Sequence, residues 1–205
     1  MKDLLLSIFS FLLILFFSNC KNDLSPIKYN LWLKNPSNGL AIEKSFSEYS
    51  FVLQYNPKTL MALIEAKGEH LSDTAFTSLE NNYGGSEYYD LTIMAKNSNK
   101  EILLIDNNQP ADYFNKASYF SFEMQKQIVL LVGKDTLPCK LFHFERNYNV
   151  SPESHFSLGF DVPKNAMGDR VLIYNDEILG LNQVEFKILQ KSILKIPQLN
   201  YTNKW

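Results

Sequence analysis

The residues of this chain with chemistry to offer are three histidines, the interior Cys139 and a scatter of carboxylates. His143 and Glu145 stand two apart on a segment that reads as a strand, so they share a face. His155 reads as lying in the Ser151-Pro152-Glu153-Ser154 loop, from which it could approach His143. A metal ion needs three or four convergent ligands, and neither these residues nor His70 fall in a recognisable ligand spacing. The His143–Glu145 pair therefore reads as a structural or solvent-facing contact, with no metal expected. Cys139, in Leu137-Pro138-Cys139-Lys140-Leu141, lacks an activating neighbour and reads as a small buried core residue. Asp161 and Asp176 read as solvated residues at strand ends. There is no G-x-S-x-G elbow, S-x-x-K set or phosphate-cradling glycine loop, and Gly84-Gly85 is a turn after a helix. The expectation is a protein that is not an enzyme and takes no cofactor.

Cys20 carries the most specific signal. Lys2 gives a short positive start, and an apolar run from Leu4 to Phe17 follows, broken only by Ser7 and Ser10. That run is shorter than the about 20 residues a spanning helix needs, and its length suits the core of a signal peptide. Phe17-Ser18-Asn19-Cys20 then resembles the lipobox of type II signal peptides, in which the cysteine thiol is acylated and becomes the new N-terminus. With Cys20-Lys21-Asn22-Asp23 behind it, the segment is similar to lipoproteins of the Bacteroidetes type. The resemblance covers about a tenth of the chain and says nothing of the folded part. It implies removal of residues 1–19, lipidation of Cys20, a membrane partner held through that lipid, and outer-membrane placement, with the side faced left open. Several acyl chains on one cysteine hold firmly, at about 0.8 kcal/mol per buried methylene. Asp73-Thr74-Ala75 and Asp135-Thr136-Leu137 look like the Asp-Thr-aliphatic O-glycosylation sites of the same group, which makes Thr74 and Thr136 candidate acceptors.

Composition sets the remaining bounds. Hydrophobic residues make up 45% and aromatics 14% of the 205-residue chain, enough for a core. The formal net charge is −2, from 20 basic and 22 acidic side chains without a basic stripe, so no nucleic-acid partner is expected. With Cys20 acylated, Cys139 has no partner for an intramolecular disulfide.

Residues 20–27 read as the lipidated cysteine and a short tether, and 28–205 as one domain. Tyr49–Tyr55 alternates cleanly. Asn56-Pro57 then opens a helix over 57–67 that stops at Gly68, and Ser72 caps a second over 73–82. Strands are expected at 89–95, 102–105, 119–124, 128–132, 137–145, 156–162, 171–174, 184–188 and 193–201, with Gly133–Thr136 as a hairpin turn. Trp32 falls in an opening strand before a tight turn at Asn38-Gly39. The fold class is mainly β, an antiparallel β-sandwich of about nine strands with one or two short inserted helices, or alternatively α+β.

Exposed aromatics stack on sugars, and Trp32, Tyr88 and Tyr89 are the candidates, although alternating aromatics in β-rich chains are more often core. The anchor, the short tether and the lack of catalytic signals point first to a non-enzymatic accessory that binds another envelope protein. The alternative is a glycan- or peptide-binding lipoprotein.

Overall fold

Period-two alternation of large apolar residues builds the core. Phe51, Leu53, Leu91, Ile93, Phe156 and Phe160 are all fully buried and lie on the inner face of one sheet. The computed structural model describes residues 23–69 and 71–201. Among these, nine strands form two antiparallel sheets. The first runs β1 (Ala41–Ser45), β2 (Tyr49–Asn56), β3 (Ser86–Ala95), β7 (Glu153–Asp161), β6 (Leu141–Glu145). The second runs β5 (Asp135–Pro138), β4 (Ile128–Val132), β8 (Arg170–Asn175), β9 (Gln183–Ile188). Phe51 on β2 meets Phe186 on β9 across the interior, ring centroids 6.4 Å apart. The mainly β sandwich expected from the sequence is the observed fold. Cys20, the residues 1–19 expected to be a leader, and His70 lie outside the described residues.

Among the described residues five α-helices accompany the sheets: α1 (Pro26–Lys34), α2 (Lys58–Glu65), α3 (Asp73–Asn82), α4 (Pro110–Ser118) and α5 (Gln190–Ile193). Helix α3 starts where the sequence placed it, the Ser72 hydroxyl accepting from the Ala75 amide at 3.3 Å. Helix α2 begins at Lys58, one residue later than expected, with Pro57 as its N-cap.

Several expected strands are helical instead. Trp32 lies on α1, not on an opening strand. Residues 102–104 form a 3-10 turn that buries Ile102 and Leu103. The 119–124 stretch continues α4 as a π-helical turn, Tyr119–Glu123, followed by a 3-10 turn at Met124–Gln127. There Phe120 and Met124 are buried four apart while Phe122 between them is 70% exposed, a helical pattern and not an alternating one. The expected 137–145 strand is two strands in different sheets: Pro138 ends β5, and Lys140 bonds across to Gly159 before β6 begins. Residues 193–201 hold the end of α5 and a single parallel bridge, Leu199 to Leu24. That bridge and the start of α1 at Pro26 commit the chain to the domain earlier than a tether ending at 27 would. His155 sits within β7, not in a loop.

The β8–β9 connection is organised by one carboxylate. Asp176 accepts from the Tyr174 hydroxyl at 2.8 Å and from the amides of Ile178, Leu179 and Leu181 at 2.8–3.2 Å. Asp176→Ala is expected to lower unfolding free energy by about 2 kcal/mol, the scale of lost hydrogen bonds to a charged group. Urea denaturation followed by tyrosine fluorescence measures it, and an unchanged midpoint would show that the loop holds its shape without the carboxylate.

Candidate functional site

Three turns bring side chains to one end of the sandwich. Asn56-Pro57 stops β2 and starts α2, Gly84-Gly85 leads from α3 into β3, and Val162-Pro163 ends β7. Gly85 takes a left-handed φ of +94°, which favours glycine. The strand ends, the α2–α3 pair, α1 and the C-terminal segment 196–201 enclose an open cleft of about 810 Å³. That volume is in the range of small-ligand sites.

Its floor is a buried ion pair. Arg170 opens β8 and Glu87 lies near the start of β3, both on the inner faces of their strands. The guanidinium donates through Nη2 to Glu87 Oε1 at 2.6 Å and through Nε to the same carboxylate at 3.0 and 3.2 Å. Its Nη1 donates to the Gly168 carbonyl at 2.6 Å, and the Tyr89 hydroxyl donates to Glu87 Oε2 at 2.8 Å. Burial works against the Arg170 charge, yet the Glu87 hydrogen bonds and charge outweigh it and hold its pKa above the ordinary value. Burial, then the Glu87 charge, pushes the Tyr89 hydroxyl well above its ordinary pKa, so it stays a donor.

Tyr29 of α1 and Tyr55 of β2 sit beside this pair, and burial raises both hydroxyls. Tyr29 is hydrogen-bonded with Thr59, whose hydroxyl also donates to Glu80; Lys58 approaches the same carboxylate at 3.5 Å. No hydrogen-bond partner for the Tyr55 hydroxyl is found among the described residues. At the rim, Tyr201 stacks on Phe76 with ring centroids 4.5 Å apart, and its hydroxyl donates to the Leu71 carbonyl at 2.5 Å. Tyr83 donates to Glu65 at 2.5 Å, a bond that, with some burial, raises its pKa to about 12. Four acidic and three basic side chains line the cleft, and the deepest charges neutralise each other.

The residues singled out by sequence fall elsewhere or only beside this cleft. Trp32 is half-buried on α1, its carbonyl accepting from Asn38 at 2.7 Å. Tyr88 is half-buried on the outer face of the first sheet, edge-on to Tyr83 at 5.6 Å. Tyr89 is 1% exposed, which removes its ring from any exposed platform and makes it the support of Glu87. His143, Glu145 and His155 share the outer face of the first sheet, with Glu145 opposite His155 and His143 opposite Ser157. His155 meets Thr92 at 3.1 Å and Glu153 at 3.4 Å. Among the described residues no group of three His, Cys, Asp or Glu is placed to hold a metal ion. Asp161 and Asp176 lie at opposite ends of the sandwich. Cys139 is buried with its pKa raised to about 11 by burial, as an inert core thiol should be. Thr74 and Thr136 are both exposed, on α3 and β5. None of the described helices is long and apolar enough to cross a membrane.

No family model matches the chain, and no curated protein matches it. Among solved structures, a DUF4426 family protein from Pseudomonas aeruginosa PAO1 is similar at 8% identity, covering 73% of this chain and 91% of its own, with a TM-score of 0.33. A likeness that weak carries no functional argument.

In the sequence Glu87 and Arg170 stand far apart and outside any charge cluster, each at an inner-face position of its strand. Removing one partner strands the other in a buried site, so Glu87→Leu and Arg170→Met should each cost about 3–5 kcal/mol, while the two together should cost much less than their sum. A double-mutant cycle by chemical denaturation measures this, and additive losses would show that the pair does not act as a unit.

Proposed function

We propose that the chain is an outer-membrane lipoprotein, acylated at Cys20, whose cleft binds a neutral, hydroxyl-rich ligand such as the end of a glycan. The observation that carries this is the cleft floor, where a compensated Glu87–Arg170 pair lies beside the Tyr55 hydroxyl, which has no hydrogen-bond partner among the described residues. A charged ligand would meet no excess of opposite charge there. A sugar hydroxyl both donates and accepts, and so matches a lining of tyrosine hydroxyls, Thr59, Thr77 and backbone groups. The half-exposed rings of Tyr83 and Tyr201 offer flat apolar faces for the C–H side of a sugar. Binding is favoured over catalysis because Glu80 and Glu87, the carboxylates nearest the floor, are already held by Thr59, Lys58, Tyr89 and Arg170.

Calorimetric titration with neutral oligosaccharides tests the reading. Tyr55→Phe removes a hydroxyl with no hydrogen-bond partner among the described residues, so affinity should fall about tenfold, one hydrogen bond's worth, while the melting temperature holds. Absence of binding by the wild type, or an unaltered affinity in the variant, would defeat it.

A second reading, capture of another envelope protein, rests on Phe114 and Phe122, which are 69% and 70% exposed and about two turns apart on the helical segment after Pro110. Mild-detergent co-purification from native membranes should then recover a partner that Phe122→Asp loses. Recovery of acylated wild-type protein alone would end that reading.

A further inference from the structure

Helix α1 is apolar on two sides. Pro26, Tyr29 and Leu33 are buried against the domain, Tyr29 in the cleft floor. Ile27 and Leu31 point away and are 53% and 65% exposed. At 3.6 residues per turn these two lie within about 40° of each other, roughly opposite the buried stripe, with Lys34 on one flank and Lys28 on the other. Both lysines are exposed. A helix with a second apolar stripe between cations has an unfilled contact.

We propose that this face of α1 docks on the phospholipid surface that holds the Cys20 acyl chains. The inference rests on the lipid-anchor reading above and extends it to the orientation of the domain. The chain between anchor and domain sets the distance. Leu24 is fixed by its bridge to Leu199, and the four steps back to Cys20 span at most about 14 Å when fully extended. Helix α1 starts two residues after Leu24, so its exposed face lies within reach of the headgroups. Its chemistry fits that surface: aliphatic side chains enter the headgroup–acyl boundary, while Lys28 and Lys34 meet anionic phosphates. Seated this way, the membrane limits the approaches open to a ligand entering the cleft, because Tyr29 on the other side of α1 belongs to its floor.

The test uses the mature, acylated, full-length protein in vesicles of phosphatidylethanolamine and phosphatidylglycerol. Leu31→Cys carries a polarity-sensitive fluorophore, and Val150→Cys, 89% exposed at the end of the sandwich away from the cleft, serves as reference. Buried Cys139 stays unlabelled. The Leu31 probe should shift to the blue, be quenched by spin-labelled lipid, and be quenched by iodide at least about threefold less than the Val150 probe, as an interfacial site would. Equal iodide quenching at both positions in an acylated sample overturns the docking alone. Protection of Leu31 in native membranes but not in vesicles also overturns it, and assigns the face to a protein. Mass spectrometry of the N-terminal peptide is read first: an unmodified Cys20 removes the anchor reading itself, a failure distinct from the other two.

Discussion

The Glu87–Arg170 pair joins the two sheets where the cleft opens. Hydrophobic attraction between the inner faces is non-directional and would tolerate small slides of one sheet over the other. A bidentate guanidinium–carboxylate contact does not tolerate them, because its hydrogen bonds have fixed length and direction. Glu87 belongs to the five-stranded sheet and Arg170 to the four-stranded one, so the pair sets where the strand ends stand relative to each other. Tyr89 and the Gly168 carbonyl take further hydrogen-bonding positions, which offsets the cost of burying both charges.

From that fixed floor the cleft becomes less constrained outward. Tyr55 comes from a central strand pair, its ring edge-on to Tyr89 at 5.3 Å. The α2–α3 wall is tied by Thr59 to Glu80 and by Tyr83 to Glu65. The last wall, residues 196–201, has little regular structure and is held by the Leu24 bridge and the Phe76–Tyr201 stack. On the proposed ligand-binding reading, specificity is set by the groups held at depth, and adaptation to ligand size falls to the outer wall.

Sheet membership was legible in the sequence wherever one face is buried and the other wet. In β3, Tyr89, Leu91, Ile93 and Ala95 alternate without exception, and they are all buried. The same rule carried two residues further back places Glu87 inward, and in β8 it places Arg170 on the side of Leu172 and Tyr174. An opposite-charged pair on two inner faces was therefore a visible signal for the floor. Alternation misled where a helix happened to imitate it: Phe120, Phe122 and Met124 fit period two as written, but Gln109 and Asp112 form a capping box, with Pro110 at the first helical position, that starts a helix upstream of them. The 193–201 segment carried strand-like residues, but most of them line the cleft or cover the core in irregular backbone. The cleft walls were illegible for a different reason, since Asp23, Thr59, Glu80 and Tyr201 meet only through long-range packing.

The parallel bridge between Leu24 and Leu199 also fixes how the domain bears load. In a protein tethered at its N-terminus, any tug transmitted from the membrane reaches Leu24 before it reaches a sheet. Two backbone hydrogen bonds, Leu24 to Gln198 and Asn200 to Leu24, carry that tension into the outer wall of the cleft. On the proposed reading, a pull that parted these two bonds would free the outer wall from the N-terminal segment without breaking a bond of either sheet. On that reading the bridge is a mechanical fuse that couples grip on a ligand to strain on the tether.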